Sequence, residues 1–107
     1  MSLDVYLTAT RPTQVFSANI THNLNAMAEA AGIYHHVWRP EELGITAAGE
    51  LIEPLREGIA RLEEAPQMFE RYNPANGWGD YDGLVAWLKK YLAACEENPD
   101  ATIYVSR

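Results

Sequence analysis

The stretch Asn73-Pro74-Ala75-Asn76-Gly77-Trp78-Gly79-Asp80-Tyr81 constrains this chain more than any other. It gathers two Asn, two Gly and two large aromatics within nine residues, and it joins two segments with helical periodicity. Such a loop serves either as a rigid corner or as the wall of a binding pocket. Before it, Leu51, Ile52, Leu55, Ile59 and Leu62 form one apolar stripe, with Thr46 as candidate cap. Pro54 lies inside that stripe, which predicts a break or kink with Pro54 at the first position of the longer piece. Glu57 and Arg61 fall at the spacing of an exposed i,i+4 ion pair. Glu63, Glu64 and Pro66 punctuate, and residues 67–72 add a short helical turn. After the loop, Asp80 is placed to cap a last helix in which Leu84, Trp87 or Leu88, Tyr91, Leu92 and Cys95 repeat at three and four.

The two ends of the chain read differently. Leu3, Val5, Leu7 and Ala9 alternate with polar residues through Thr10, the period of a half-buried strand. Arg11-Pro12-Thr13 interrupts it, and residues 14–18 are extended. Thr21 caps a helix over residues 22–31, which Gly32 stops. Residues 33–38, Ile-Tyr-His-His-Val-Trp, are rich in β-branched and aromatic side chains and predict a short strand or extended connection ending at Arg39-Pro40. Asn98-Pro99-Asp100 is a turn, and residues 101–106 form a closing strand that pairs with the first. The expected fold is α+β. A small antiparallel sheet of the terminal strands, which residues 33–38 can extend, packs against three main helices in a single domain spanning 1–107.

Charge narrows the partners. Eight basic residues against fifteen acidic ones leave a net charge of −7, a field that repels a phosphate backbone, so no nucleic acid is expected. A small anion is still admissible where an Arg and backbone N–H groups gather. Cys95 is the only cysteine, on the apolar side of its helix, so neither an intramolecular disulfide nor a cysteine zinc cluster can form. The start Met1-Ser2-Leu3-Asp4 lacks the pattern of a signal peptide, and no run of apolar residues is long enough for a bilayer. A cytoplasmic protein without a membrane partner is the expectation, and the Asn19-Ile20-Thr21 sequon has no role there.

Four polar and aromatic clusters can carry chemistry. Asn19, Thr21, His22, Asn23 and Asn25 surround the start of the first helix and either hold a polar ligand or simply cap and face water. Tyr34, Trp38 and Arg39 offer stacking surfaces and an anion clamp, or else an edge strand with aromatics on the core. Trp78, between Gly77 and Gly79, is a plug beneath the loop or an aromatic lid over a ligand. Tyr104, Ser106 and Arg107 close the chain, Arg107 reaching an anion or only ending it. His22, His35 and His36 lack the spacing of a zinc motif, so no metal or other cofactor is expected. No catalytic residue is assigned, because no nucleophile elbow, phosphate-binding P-loop or dinucleotide fingerprint is present.

Ser17-Ala18-Asn19-Ile20-Thr21-His22-Asn23, Trp38-Arg39-Pro40-Glu41-Glu42 and Asn73-Pro74-Ala75-Asn76-Gly77-Trp78-Gly79 occur together here. In these motifs, and in the Tyr104-Val105-Ser106-Arg107 ending, the chain resembles a family of short proteins of phages, prophages and bacteria. The resemblance carries no activity, cofactor or catalytic residue. It implies a compact accessory protein. The resulting expectation is a non-enzymatic protein binding a small polar or anionic ligand, such as a nucleotide derivative, and in a phage setting sequestering a host defence signal. Its ligand-binding residues would be His22, Asn23, Trp38, Arg39, Asn76, Trp78 and Tyr81. One alternative is an acidic protein-interaction or inhibitor module acting on a protein partner or as a homo-oligomer. The other is a small hydrolase using His22 or the His35-His36 pair.

Overall fold

The computed structural model describes residues 1–9 and 14–107. Thr10 and the predicted interruption Arg11-Pro12-Thr13 lie outside the described residues. The alternation of Leu3, Val5 and Leu7 becomes strand β1 (Ser2–Thr8), with those three side chains fully buried. Strand β2 (Gln14–Thr21) runs antiparallel to it on one side, and β3 (Thr102–Ser106) runs antiparallel on the other, giving the order β2-β1-β3. Val5 stands between Ala18 and Val105, and Leu7 between Phe16 and Ile103, so one face of the sheet is apolar across all three strands. The other face carries Asp4 beside Asn19 and Tyr6 between Ser17 and Tyr104. An antiparallel sheet can leave one face to water, and here the helices pack on the apolar side.

The chain leaves β2 through a 3₁₀ turn (His22–Leu24) into α1 (Asn25–Ala30). Thr21 Oγ1 accepts from the Asn23 N–H, the cap its position predicts. Gly32, at φ 73°, ends α1 and donates to the Glu29 carbonyl.

The expected strand at 33–38 is instead a helix, α2 (Tyr34–Trp38). Three observations explain it. The Ile33 N–H is taken by the Ala28 carbonyl, which folds the chain straight back from α1. Tyr34 and Trp38, four residues apart, stack at 5.5 Å, a contact only helical spacing provides. The β3 edge of the sheet is met by Ala47, which bridges to Thr102 while the Thr46 carbonyl accepts from the Ile103 N–H.

A 3₁₀ turn (Pro40–Leu43) and a second one (Ala48–Leu51) lead into α3 (Ile52–Glu64). Thr46 is not its cap. The Glu50 carboxylate reaches back to accept from the N–H groups of Thr46 and Ala47 at 3.3 and 3.1 Å. Nor does Pro54 break the helix or sit at its first position. It is the third residue of α3, in the turn whose N–H groups have no intrahelical acceptor, so its missing donor costs nothing. The predicted Glu57–Arg61 pair is replaced by a longer reach, since Arg61 Nε donates to the Ala31 carbonyl at 2.6 Å and so ties α3 to the end of α1. Helix α4 (Pro66–Glu70) buries Phe69, and α5 (Tyr81–Glu97) buries Leu84, Leu88, Tyr91 and Cys95. Tyr91 lies parallel to Phe16 of β2 at 5.9 Å, joining α5 to the sheet. Burial pushes the Cys95 thiol up to about 12, the environment of a packing residue and not of a nucleophile.

Candidate functional site

The first and third of the four clusters meet around one groove. The loop between α4 and α5 is held by its own side chains. Asn73 Oδ1 accepts from the Tyr81 N–H at 2.8 Å, Asn76 Oδ1 from the Trp78 N–H at 2.9 Å, and Asp80 Oδ1 from the Gly83 N–H at 2.7 Å. The Asn76 and Asp80 bonds are local Asx contacts that fix a turn, and the Asn73 bond closes the loop across its length. Gly77 and Gly79 take φ of 76° and 99°, the left-handed region that favours glycine. Gly79 also lies against the end of β2, where a Cβ would stand 2.8 Å from Thr21 Cγ2 and 3.1 Å from Leu24 Cγ. The loop is therefore clamped on the turn that begins with Thr21.

Trp78 projects from this clamped loop with 70% of its surface exposed. The plug reading of Trp78 is thus incorrect, because the side chain fills no hole. It borders a groove of about 470 Å³ whose other walls are Met1, Ser2, Asn19, Thr21 and Asn23. Strand alternation places Asn19 on the polar face opposite Asp4, and its amide nitrogen donates to Asp4 Oδ1 at 2.6 Å and Ser2 Oγ at 2.8 Å. Sequence reading singled out Asn19 and Thr21 but did not place them among the ligand-binding residues, and it missed Ser2. The alternation of β1 and β2 is the signal that could have found all three, since it sends them to the uncovered face.

The remaining proposed contacts divide. Asn23 lines the groove, and Asn76 supports it from behind by fixing Trp78. His22 faces inward, its Nδ1 accepting from Trp38 Nε1 at 2.9 Å. Trp38 is not a stacking surface for a ligand, for only 1% of it is exposed and its indole is already stacked on Tyr34. Tyr81 is likewise structural, 8% exposed with its hydroxyl donating to the Leu62 carbonyl at 2.7 Å. Arg39 is no free anion clamp, because its Nε donates to the Tyr34 hydroxyl and its Nη1 pairs with Glu42 at 3.0 Å.

Arg107 does more than end the chain. Its Nη1 donates to the Trp38 carbonyl at 2.8 Å and pairs with Glu41, and that hydrogen bond holds the Glu41 carboxyl below its ordinary range. His35 and His36 line a separate hollow with Glu29, Gly32, Tyr34 and Leu43. Burial pushes the His36 imidazole below its ordinary value, with His35 and Arg61 adding to the shift. Among the described residues no three His, Cys, Asp or Glu stand together to hold a metal ion, and no helix is long and apolar enough to cross a membrane.

The chain matches no protein-family model, no curated protein and no solved structure.

Proposed function

We propose that this chain is a non-enzymatic binder of a small polar ligand, seated in the groove between Trp78 and the Ser2, Asn19, Thr21 and Asn23 side chains. One observation carries the reading. A large indole stands in solvent on a loop held by its own Asn and Asp side chains, beside a groove that presents the uncharged hydrogen-bonding side chains of Ser2, Asn19, Thr21 and Asn23. Exposing an aromatic of this size on a rigid support forgoes the burial it would gain elsewhere, and a ligand that stacks on it recovers that area. Preorganisation of the loop lowers the cost of binding, since its backbone is already fixed when the ligand arrives. The resemblance to phage, prophage and bacterial proteins supports an accessory, sequestering role within the cytoplasm. A hydrolase centred on His22 gains nothing from the geometry, because its Nδ1 is engaged by Trp38.

The reading is tested by native mass spectrometry of the protein incubated with a cell-extract metabolite fraction, before and after denaturation. The expected result is an adduct released on unfolding, lost in Trp78→Ala and weakened in Asn23→Ala. Removing a stacking aromatic costs about 1–3 kcal/mol, or roughly tenfold or more in affinity. An adduct kept at full occupancy by Trp78→Ala would place the ligand elsewhere, and no adduct from any fraction would reject the ligand-binding role.

A protein-interaction role has a separate observation in its favour. The polar face of the sheet is uncovered by helices and presents Tyr104, 55% exposed, beside Tyr6. A homo-oligomer built on that face would dissociate in Tyr104→Arg, which sedimentation velocity reads directly.

A further inference from the structure

We infer that the groove beside Trp78 selects an uncharged ring carrying neighbouring hydroxyl groups, and discriminates against the phosphorylated form of the same molecule. The inference rests on the ligand-binding reading above and specifies the ligand's chemistry.

The first ground is an inventory of what the walls can still donate and accept. The two amide hydrogens of Asn19 are committed to Ser2 and Asp4, which leaves its carbonyl oxygen as an acceptor. Ser2 Oγ accepts from Asn19 and Thr21 Oγ1 accepts from the Asn23 N–H, so each hydroxyl keeps its own O–H to donate. Asn23 is exposed and brings both an acceptor oxygen and two donor hydrogens. The wall thus mixes donors with acceptors at close range. A hydroxyl both donates and accepts, so a pair of neighbouring hydroxyls satisfies such a wall. A phosphate oxygen only accepts, so a phosphate in place of one of those hydroxyls leaves the Asn19 and Asn23 carbonyl oxygens facing lone pairs.

Charge supplies the second ground. No Lys or Arg among the described residues lines the groove, and the Asp4 carboxylate stands directly behind Asn19. Arg39 and Arg107 are paired elsewhere, with Glu42 and Glu41. Among the described residues the groove's lining carries one cation, the Met1 α-ammonium, and a dianion entering meets the Asp4 carboxylate and a net charge of −7 against it. The third ground is the indole itself, which offers a flat apolar face to a flat ligand face. A pyranose presents such a face in its axial C–H groups, and a ribonucleoside presents one in its base while its ribose supplies the hydroxyl pair.

The test is isothermal titration of the full chain with matched pairs: methyl glucoside and methyl glucoside 6-phosphate, methyl galactoside and methyl galactoside 6-phosphate, adenosine and AMP, guanosine and GMP. In at least one pair the neutral member is expected to bind about tenfold tighter or more than its phosphorylated partner. That binding should be insensitive to salt and absent in Trp78→Ala. Preference for the glycosides or for the nucleosides separates the two sources of the same chemistry. Tighter binding of the phosphorylated members would overturn the inference while leaving a small-ligand protein in place. Silence across both halves of the panel, together with a ligand-free mass in cell extract, would overturn the two together. Asn19→Asp, which adds a carboxylate to the wall, should weaken neutral binding by several fold, and Asn76→Ala should reduce it only through loss of the fixed loop.

Discussion

At the scale of single residues, Gly77 and Gly79 show how two apparently equivalent glycines differ. Both occupy the left-handed region, but a Cβ at Gly77 would meet open space while one at Gly79 would strike Thr21. Gly77→Ala should therefore cost about 1 kcal/mol from backbone strain alone. Gly79→Ala should cost about 2–4 kcal/mol, because overpacking adds to the strain. Urea unfolding of both variants checks this, and equal midpoints would show that the loop is not clamped on β2. The sequence makes both glycines visible as turn residues, and Asp80 visible as a cap, because those roles depend on neighbours within a few positions. It leaves Trp38 and Tyr81 ambiguous. An aromatic side chain reads the same whether its polar atom finds water or a buried partner, and here the partners are His22 and the Leu62 carbonyl, which sequence distance hides.

At the scale of elements, the strands and the last helix follow from their periods, while α2 does not. The composition of residues 33–38 favours a strand, and tertiary context overrides it, since the Ala28 carbonyl takes the Ile33 N–H and turns the chain back from α1 into a helical turn. The same contact sets an expectation for α3. Gly58 is buried inside that helix, and a Cβ there would lie 3.0 Å from Ile33 Cβ and 3.1 Å from its Cγ1. Alanine gains about 1 kcal/mol in helix propensity over glycine. Overpacking against the stem of a β-branched residue costs about 1–3 kcal/mol and wins. Gly58→Ala should thus lower the thermal midpoint, and a raised midpoint would mean that α3 can shift away from Ile33.

At the scale of the whole molecule, the core sets how stability depends on pH. Unfolded, the Cys95 thiol ionises near its ordinary value of 9.0, whereas in the fold it holds its proton up to about 12. Above pH 9 the unfolded chain therefore binds fewer protons than the folded one, and stability falls as pH rises. The Tyr91 hydroxyl, fully buried and pushed up chiefly by that burial, acts in the same direction from pH 10 onward. Denaturation midpoints measured between about pH 8 and about pH 11 should decline, and Cys95→Ala should flatten the first part of that decline. A flat wild-type profile would contradict the burial of both groups. One more consequence follows from the sheet order. Strand β1 lies in the middle, yet one of its neighbours, β3, is supplied from nearly the whole chain away. During synthesis the ribosome releases β1 and β2 long before β3, so the nascent chain carries a two-stranded ribbon with an unpaired edge and an unsealed apolar face. Closing so distant a pairing is slow. The sheet is therefore completed only once Thr102–Ser106 is free to pair with β1.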